Sequence, residues 1–230
     1  RILRILHEEG PQSRATLTAR TGLNRSTIAG LVGELVADDI VVERAPDPAG
    51  RAGRPSPAVS FHPDIVAIAA NPEVDALTIG VVGLDRSVRR RERIPRDELL
   101  TPQETAELIG ATIAAWREDD LASARIVGIG LAVPGLVRAS DGMVRRAPHL
   151  CWTDVDLPAV VRERTGLPTV VANDASLGAL AEHRYGAARG VADLVYLNGG
   201  ASGIGGGIVV GGGPLSGAGG YAGEFGHNRP

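Results

Sequence analysis

The chain of 230 residues has a single cysteine, Cys151, and no lysine. One thiol excludes an internal disulfide and cannot by itself build a thiolate metal site. No apolar run approaches the roughly 18 to 20 residues needed to span a bilayer. The first residues also lack the charged, apolar and small-residue order of a secretory signal. The expectation is a globular, cytoplasmic protein with no membrane partner. Because the sequence begins at Arg1 rather than Met, both ends are expected to be cuts in a longer protein.

Bulk positive charge is missing too. All 24 basic residues are arginine, against 27 acids, for a net charge of −3. Residues 1–60 carry 8 arginines and 7 acids, a net of +1; residues 61–230 carry 16 and 20, a net of −4. A DNA-binding domain is usually more basic, so a nucleic-acid reading must rest on local pattern. What the chain does have is 43% hydrophobic residues, enough for one large or two smaller cores.

RILRILHEE places Ile2, Leu3, Ile5 and Leu6 on one helical side, and GPQS then breaks the helix and offers a serine N-cap. From Arg14 the spacing predicts two helices around a tight turn at Thr21-Gly22, with Leu17, Leu23, Ile28, Leu31 and Leu35 sharing a core. Counted from Arg14, the apolar residues and Gly22 fall at the packing positions of a helix-turn-helix, whose second helix enters the major groove. Asn24 can cap that helix, leaving Arg25, Ser26 and Thr27 on its first turn, where side chains meet base edges and phosphates. Thr18, where a small alanine usually packs, and Gly30 inside the second helix depart from the pattern. A small helical protein-interaction domain is the alternative. The β-prone runs at 40–44 and 58–61 flank APDPAGRAGRPSP, which reads as a hairpin with a long wing. Arg51 and Arg54 on that wing suit a narrow minor groove.

Further on, IVAIAA and DALTIGVVGLDRSVRRRERI give three β-prone runs, with RRRER at 89–93 in a turn region as a solvated face. A helix runs from Thr101 or Pro102 to about Asp119. RIVGIGLAVPG, a helix near 155–165, PTVVA, ASLGALAEHRYG and ADLVYLN then alternate strand and helix, which predicts an α/β sheet. Asn173 and Asp174 sit at a strand end before a helix, a usual ligand position in such sheets; a plain helix cap is the alternative. After Asn198, glycine becomes dense in GGASGIGGGIVVGGGPLSGAGGYAG.

The helix-turn-helix and GRP, followed in order by VPGLV, APHLCW, ANDASLGALAEHRYG, SGIGGGIVVGG and AGEFGH, resemble the ROK family of repressors, open reading frames and sugar kinases. The likeness is to its repressors of the xylose and N-acetylglucosamine type. It implies a winged helix-turn-helix at 1–62 joined to a two-lobed, actin- and hexokinase-like (ribonuclease H-like) sugar-kinase fold. The first lobe would span 63–188 and the start of an incomplete second lobe 189–230. It implies that Asn173, Asp174, Glu224 and His227 hold sugar hydroxyls. In the family's kinases the aspartate matching Asp174 is the general base.

The resemblance also implies one structural zinc, held by His227 and three cysteines beyond Pro230. The metal therefore belongs to the full-length protein and is not expected in this chain, where Cys151 reads as a buried apolar residue. The family's Asp-x-Gly-x-Thr turn for ATP phosphates is lost. Asn71 falls in place of its Asp and Glu73 in place of its Gly, adding bulk and negative charge where an anion should approach. ATP is expected to bind poorly. SGIGGG at 202–207, a glycine-rich turn between strands, suits either a nucleotide or a structural role.

The reading is a transcriptional regulator, a repressor whose operator DNA is its partner and whose effector is a sugar or sugar phosphate. It would act as a homodimer or homotetramer and would not be an enzyme. The alternatives are an ATP-dependent sugar kinase using Asp174 as base, and a regulator answering to a protein partner.

Overall fold

A computed structural model describes residues 1–44, 57–200 and 203–227, the side chain of His227 excepted. Arg51 and Arg54, the expected minor-groove contacts, lie outside the described residues.

The chain opens with α1 (Ile2–Glu9), which buries Ile2, Ile5 and Leu6 at the i, i+3, i+4 spacing of one face. Leu3, expected on that face, is rotated off it and is exposed. A two-residue strand β1 (Gln12–Ser13) leads to α2 (Arg14–Thr21), whose first turn is closed by the Ser13 hydroxyl accepting from the Thr16 N–H at 3.0 Å. Gly22 then takes a left-handed conformation (φ 73°) and turns the chain into α3 (Arg25–Ala37). Leu23, expected in the core, is carried outward by that turn, and Val32, one turn beyond Ile28, is fully buried. Strands β2 (Val41–Arg44) and β3 (Ala58–Phe61) form an antiparallel hairpin to which β1 adds as a third strand. Leu6, Leu17, Ile28, Val32, Val41 and Val59 close one hydrophobic core between these helices and this sheet.

A second, larger core lies in the α/β body. Strand β5 (Ala76–Gly83) runs antiparallel to both of its neighbours, β4 (Ile65–Pro72) and β6 (Val88–Pro95). The helix α4 (Pro102–Arg117) follows, started by a capping box in which Thr101 and Glu104 satisfy each other's backbone N–H groups. The strand β7 (Arg125–Val133) pairs parallel with β4. Next come the short strands β8 (Leu136–Val137), β9 (Val144–Ala147) and β10 (Trp152–Val155), then α5 (Leu157–Thr165), β11 (Thr169–Asn173) and α6 (Asp174–Tyr185). The main sheet has the order β11-β7-β4-β5-β6, and β10-β9-β8 form a small separate sheet.

Two expectations for this body are corrected. RRRER is not a turn: it lies in β6, the edge strand, where its arginines pair with acids such as Asp85 (3.5 Å) and Asp75 (2.7 Å). Charge on an edge strand discourages pairing with another chain. Cys151 is exposed rather than buried. It takes a left-handed conformation (φ 58°) that ends the 3-10 turn Pro148–Leu150, while Leu150 and Trp152 on either side point into the core.

The last part is an antiparallel sheet of β12 (Leu194–Gly200), β13 (Gly203–Val210) and β14 (Gly213–Pro214). Helix α6 lies on β13, and the glycines of SGIGGG make that close packing possible. A Cβ at Gly207 would stand 2.5 Å from the Ala179 methyl, and one at Gly205 would stand 2.9 Å from that of Ala175. Gly203–Gly207 is thus strand rather than turn, and Gly205 and Gly207 set the helix–sheet distance.

Candidate functional site

At the C-terminal ends of the parallel strands β7 and β11 lies a cavity of about 670 Å³. Ligands collect at this end of α/β sheets, where loops and helix starts converge. One wall is the junction of β11 and α6, which presents Asn173 and Asp174. Asn173 caps the helix: its Oδ1 accepts from the Ser176 N–H at 2.8 Å and its Nδ2 donates to the Gly135 carbonyl at 3.0 Å. Asp174 Oδ1 accepts from the Ala175 N–H at 2.8 Å and lies 3.3 Å from Asn173 Nδ2. Its Oδ2 has no partner among the described residues. A carboxylate with one oxygen anchored and the other open suits a ligand hydroxyl, as acceptor or as base.

The opposite rim is built by Gly135, at φ 151°, where a Cβ would come within 2.4 Å of the Arg146 carbonyl. Only glycine allows the turn after Pro134 to lie this close to β9. Glu224 and Asn198 enter the cavity from the last part of the chain, and Arg146 and His149 from β9 and the 3-10 turn. Three of the four residues expected to hold sugar, Asn173, Asp174 and Glu224, therefore line one cavity. For His227 the structure describes only the backbone, in the 3-10 turn Phe225–His227. Arg146, His149 and Asn198 were not anticipated. The motif APHL marked the segment of His149 but gave no sign of where its ring would face.

The turn between β4 and β5 is closed by its own side chains. Glu73 accepts from the Thr78 hydroxyl at 3.0 Å, lies 3.4 Å from Asn71 Nδ2 and pairs with Arg93 at 3.4 Å. Arg93 also bridges to Asp75, whose carboxyl it holds below the ordinary range chiefly through their hydrogen bond. For zinc, no group of three or more His, Cys, Asp or Glu among the described residues is placed so that it could hold a metal ion. No helix among the described residues is long and apolar enough to cross a membrane.

In the N-terminal part, Asn24 Oδ1 accepts from the Thr27 N–H at 2.8 Å and from the Ser26 hydroxyl at 2.7 Å. This cap leaves Arg25, Ser26 and Thr27 exposed on the first turn of α3, and Arg25 makes no ion pair among the described residues. The three side chains expected to reach DNA thus share one open helix end.

The description of the ROK family matches residues 74–230. The chain belongs to the ROK family. Among ROK relatives, a xylose repressor of Caldicellulosiruptor bescii is 29% identical over 98% of this chain and 57% of its own length. A crystal structure of a ROK family transcriptional regulator, a homologue of the E. coli MLC protein, superposes on the whole chain with a TM-score of 0.78 and 27% identity, over 58% of its own length. The ROK family glucokinase of Streptomyces griseus, in complex with glucose and AMPPNP, matches 71% of this chain and 50% of its own, with a TM-score of 0.63 and 30% identity. The chain spans a little over half the length of the regulators it matches, and these regulators match 98% or more of it against 71% for the kinase. The ROK fold here is mixed α/β and actin-like, as the sequence led one to expect.

Proposed function

We propose that the intact protein is a sugar-responsive transcriptional repressor. Residues 1–62 form a winged helix-turn-helix that binds operator DNA, residues 63–188 the first lobe of a sugar-kinase-like effector domain, and 189–230 the start of its second lobe. The observation that carries this reading is the pairing, in one chain, of an open α3 end bearing Arg25, Ser26 and Thr27 with a cavity bearing Asn173, Asp174 and Glu224. Likeness to repressors along nearly the whole chain supports it. One recognition helix reads too few base pairs to find a site in a genome, so the repressor acts as a dimer or larger homo-oligomer. A sugar between the lobes changes operator affinity only through its differential affinity for two arrangements of the molecule.

The test uses the intact protein and a duplex it enriches from random-sequence DNA. Addition of D-xylose, D-glucose or glucose 6-phosphate shifts the DNA affinity of the wild type, and Asp174→Asn abolishes that shift. DNA affinity that ignores every sugar, while each sugar also leaves the melting temperature unmoved, overturns the effector role.

A sugar kinase is the second reading, favoured by the open Oδ2 of Asp174 and opposed by Glu73 in the phosphate turn. ADP release from the intact protein with ATP, magnesium and a hexose, lost in Asp174→Asn, would establish it.

A further inference from the structure

The helix that begins in the cavity ends against the DNA-binding part. Helix α6 runs for twelve residues from Asp174 to Tyr185, a length of about 18 Å. The Tyr185 hydroxyl lies 2.8 Å from His7 Nε2 on α1. The other ring nitrogen of His7 faces the Leu84 carbonyl at 2.8 Å. That carbonyl only accepts, so Nδ1 carries the proton and donates to it. Arg86, in the turn between β5 and β6, completes the junction: its guanidinium stacks over the Tyr185 ring at 5.4 Å and donates to the Glu8 carbonyl at 3.4 Å. His7 meets Tyr185 edge to face, with ring centroids 5.9 Å apart.

From this geometry we infer that α6 is the route by which the cavity and the DNA-binding part influence each other, with Tyr185–His7 as its terminal contact. The inference rests on the repressor reading and adds its regulation. Three features support it. Asn173 fixes the N-terminus of α6 to the cavity rim through Gly135. The helix lies directly on β13, so a rearrangement of the glycine-rich sheet around a ligand is imposed on the helix as a body. At the far end, Tyr185 holds α1 through one side-chain hydrogen bond, a contact that a small helix displacement makes or breaks because such bonds weaken steeply with distance and angle. Tyr185 and His7 are positioning residues: neither touches the cavity nor the face of α3.

The experiment measures, for the intact protein and the duplex it enriches, DNA affinity with and without whichever of D-xylose, D-glucose and glucose 6-phosphate shifts it in the wild type. Tyr185→Phe removes only the hydroxyl and keeps the ring under Arg86. His7→Asn keeps a donor near the position of Nδ1, for Leu84, but does not reach Tyr185. Each variant is expected to bind DNA and sugar separately, while the sugar-dependent change in DNA affinity shrinks by about fivefold, the share of one ordinary hydrogen bond. By linkage the effect of DNA on sugar affinity falls by the same factor. The double variant should lose no more than either single one, because both remove the same bond. A full wild-type response in both variants overturns the inference alone, as does a drop in melting temperature and both affinities that leaves the ratio intact. A wild type indifferent to every sugar overturns the repressor reading and the inference together.

Discussion

Asn173 donates from Nδ2 to the carbonyl of Gly135 across 3.0 Å while its Oδ1 caps α6. One side chain thereby ties a helix start to the rim of the cavity. Asn173→Ala removes both bonds and should lower stability by about 1 kcal/mol, the ordinary value of an N-cap, and weaken sugar binding with it. Asn173→Asp retains a capping oxygen, loses the donor to Gly135 and sets a second carboxylate beside Asp174. With its new oxygen facing the Gly135 carbonyl and Asp174, it should melt below the wild type despite the retained cap, bind sugar as poorly as the alanine variant, and recover part of its stability as pH falls and the added carboxylate is protonated. Thermal melts and calorimetric sugar titrations of the intact protein separate these effects.

Two glycine substitutions should act in opposite directions. Gly207→Ala forces a methyl to within 2.5 Å of Ala179, and should destabilise by about 1 to 3 kcal/mol through overpacking between α6 and β13. Gly30, inside α3 with nothing within 4 Å of an added Cβ, should give about 1 kcal/mol of added stability as alanine. Denaturant midpoints report both, and a neutral Gly207→Ala would refute the packing role given to that glycine.

On the DNA side, Arg25→Ala should weaken operator binding by about 1 to 3 kcal/mol while leaving the fold intact. Asn24→Ala should cost about 1 kcal/mol of stability through the lost cap and loosen the first turn of α3. Changes at Arg51 and Arg54 should instead alter salt dependence and preference for AT-rich flanks. Fluorescence anisotropy across a salt series distinguishes the two patterns.

Asp141 supplies a pH test. Its carboxyl is lowered from the usual 3.8 to about 2, first by the hydrogen bond from Arg138 and then by that from the Met143 N–H. A depressed carboxylate contributes stability above its unfolded value and loses it as pH falls through the folded one. The melting-temperature gap between wild type and Asp141→Asn should therefore be present above pH 3.8 and close as pH approaches about 2. The gap should be small and shrink further in salt, because the pair is exposed. A gap that widens on acidification contradicts the assignment.

Helix starts were the most legible part of the sequence. Ser13, Asn24 and the Thr101–Glu104 box act within four residues of themselves, and such chemistry depends little on the rest of the fold. Strand β6 was legible as the third β-prone run of its stretch, but the arginines within it read as a solvent-facing turn, and an edge strand faces solvent too. The β8-β9-β10 sheet was missed because two- and four-residue strands carry no measurable period. Cys151 was misplaced because its exposure follows from a left-handed turn between Leu150 and Trp152, a feature of backbone conformation rather than of hydrophobicity. In the cavity, Asn173 and Asp174 stood out by their place at a strand end before a helix, and the family resemblance added Glu224. Arg146 and His149 arrive by way of β9 and the 3-10 turn that follows it, a path that their local sequence does not encode.

Gly205 and Gly207 of β13 separate two histories that are easily confused. Because they answer to the alanines of α6, a descendant of this scaffold can abandon phosphoryl transfer altogether and still be unable to replace them. Their survival then testifies to architecture rather than to chemistry.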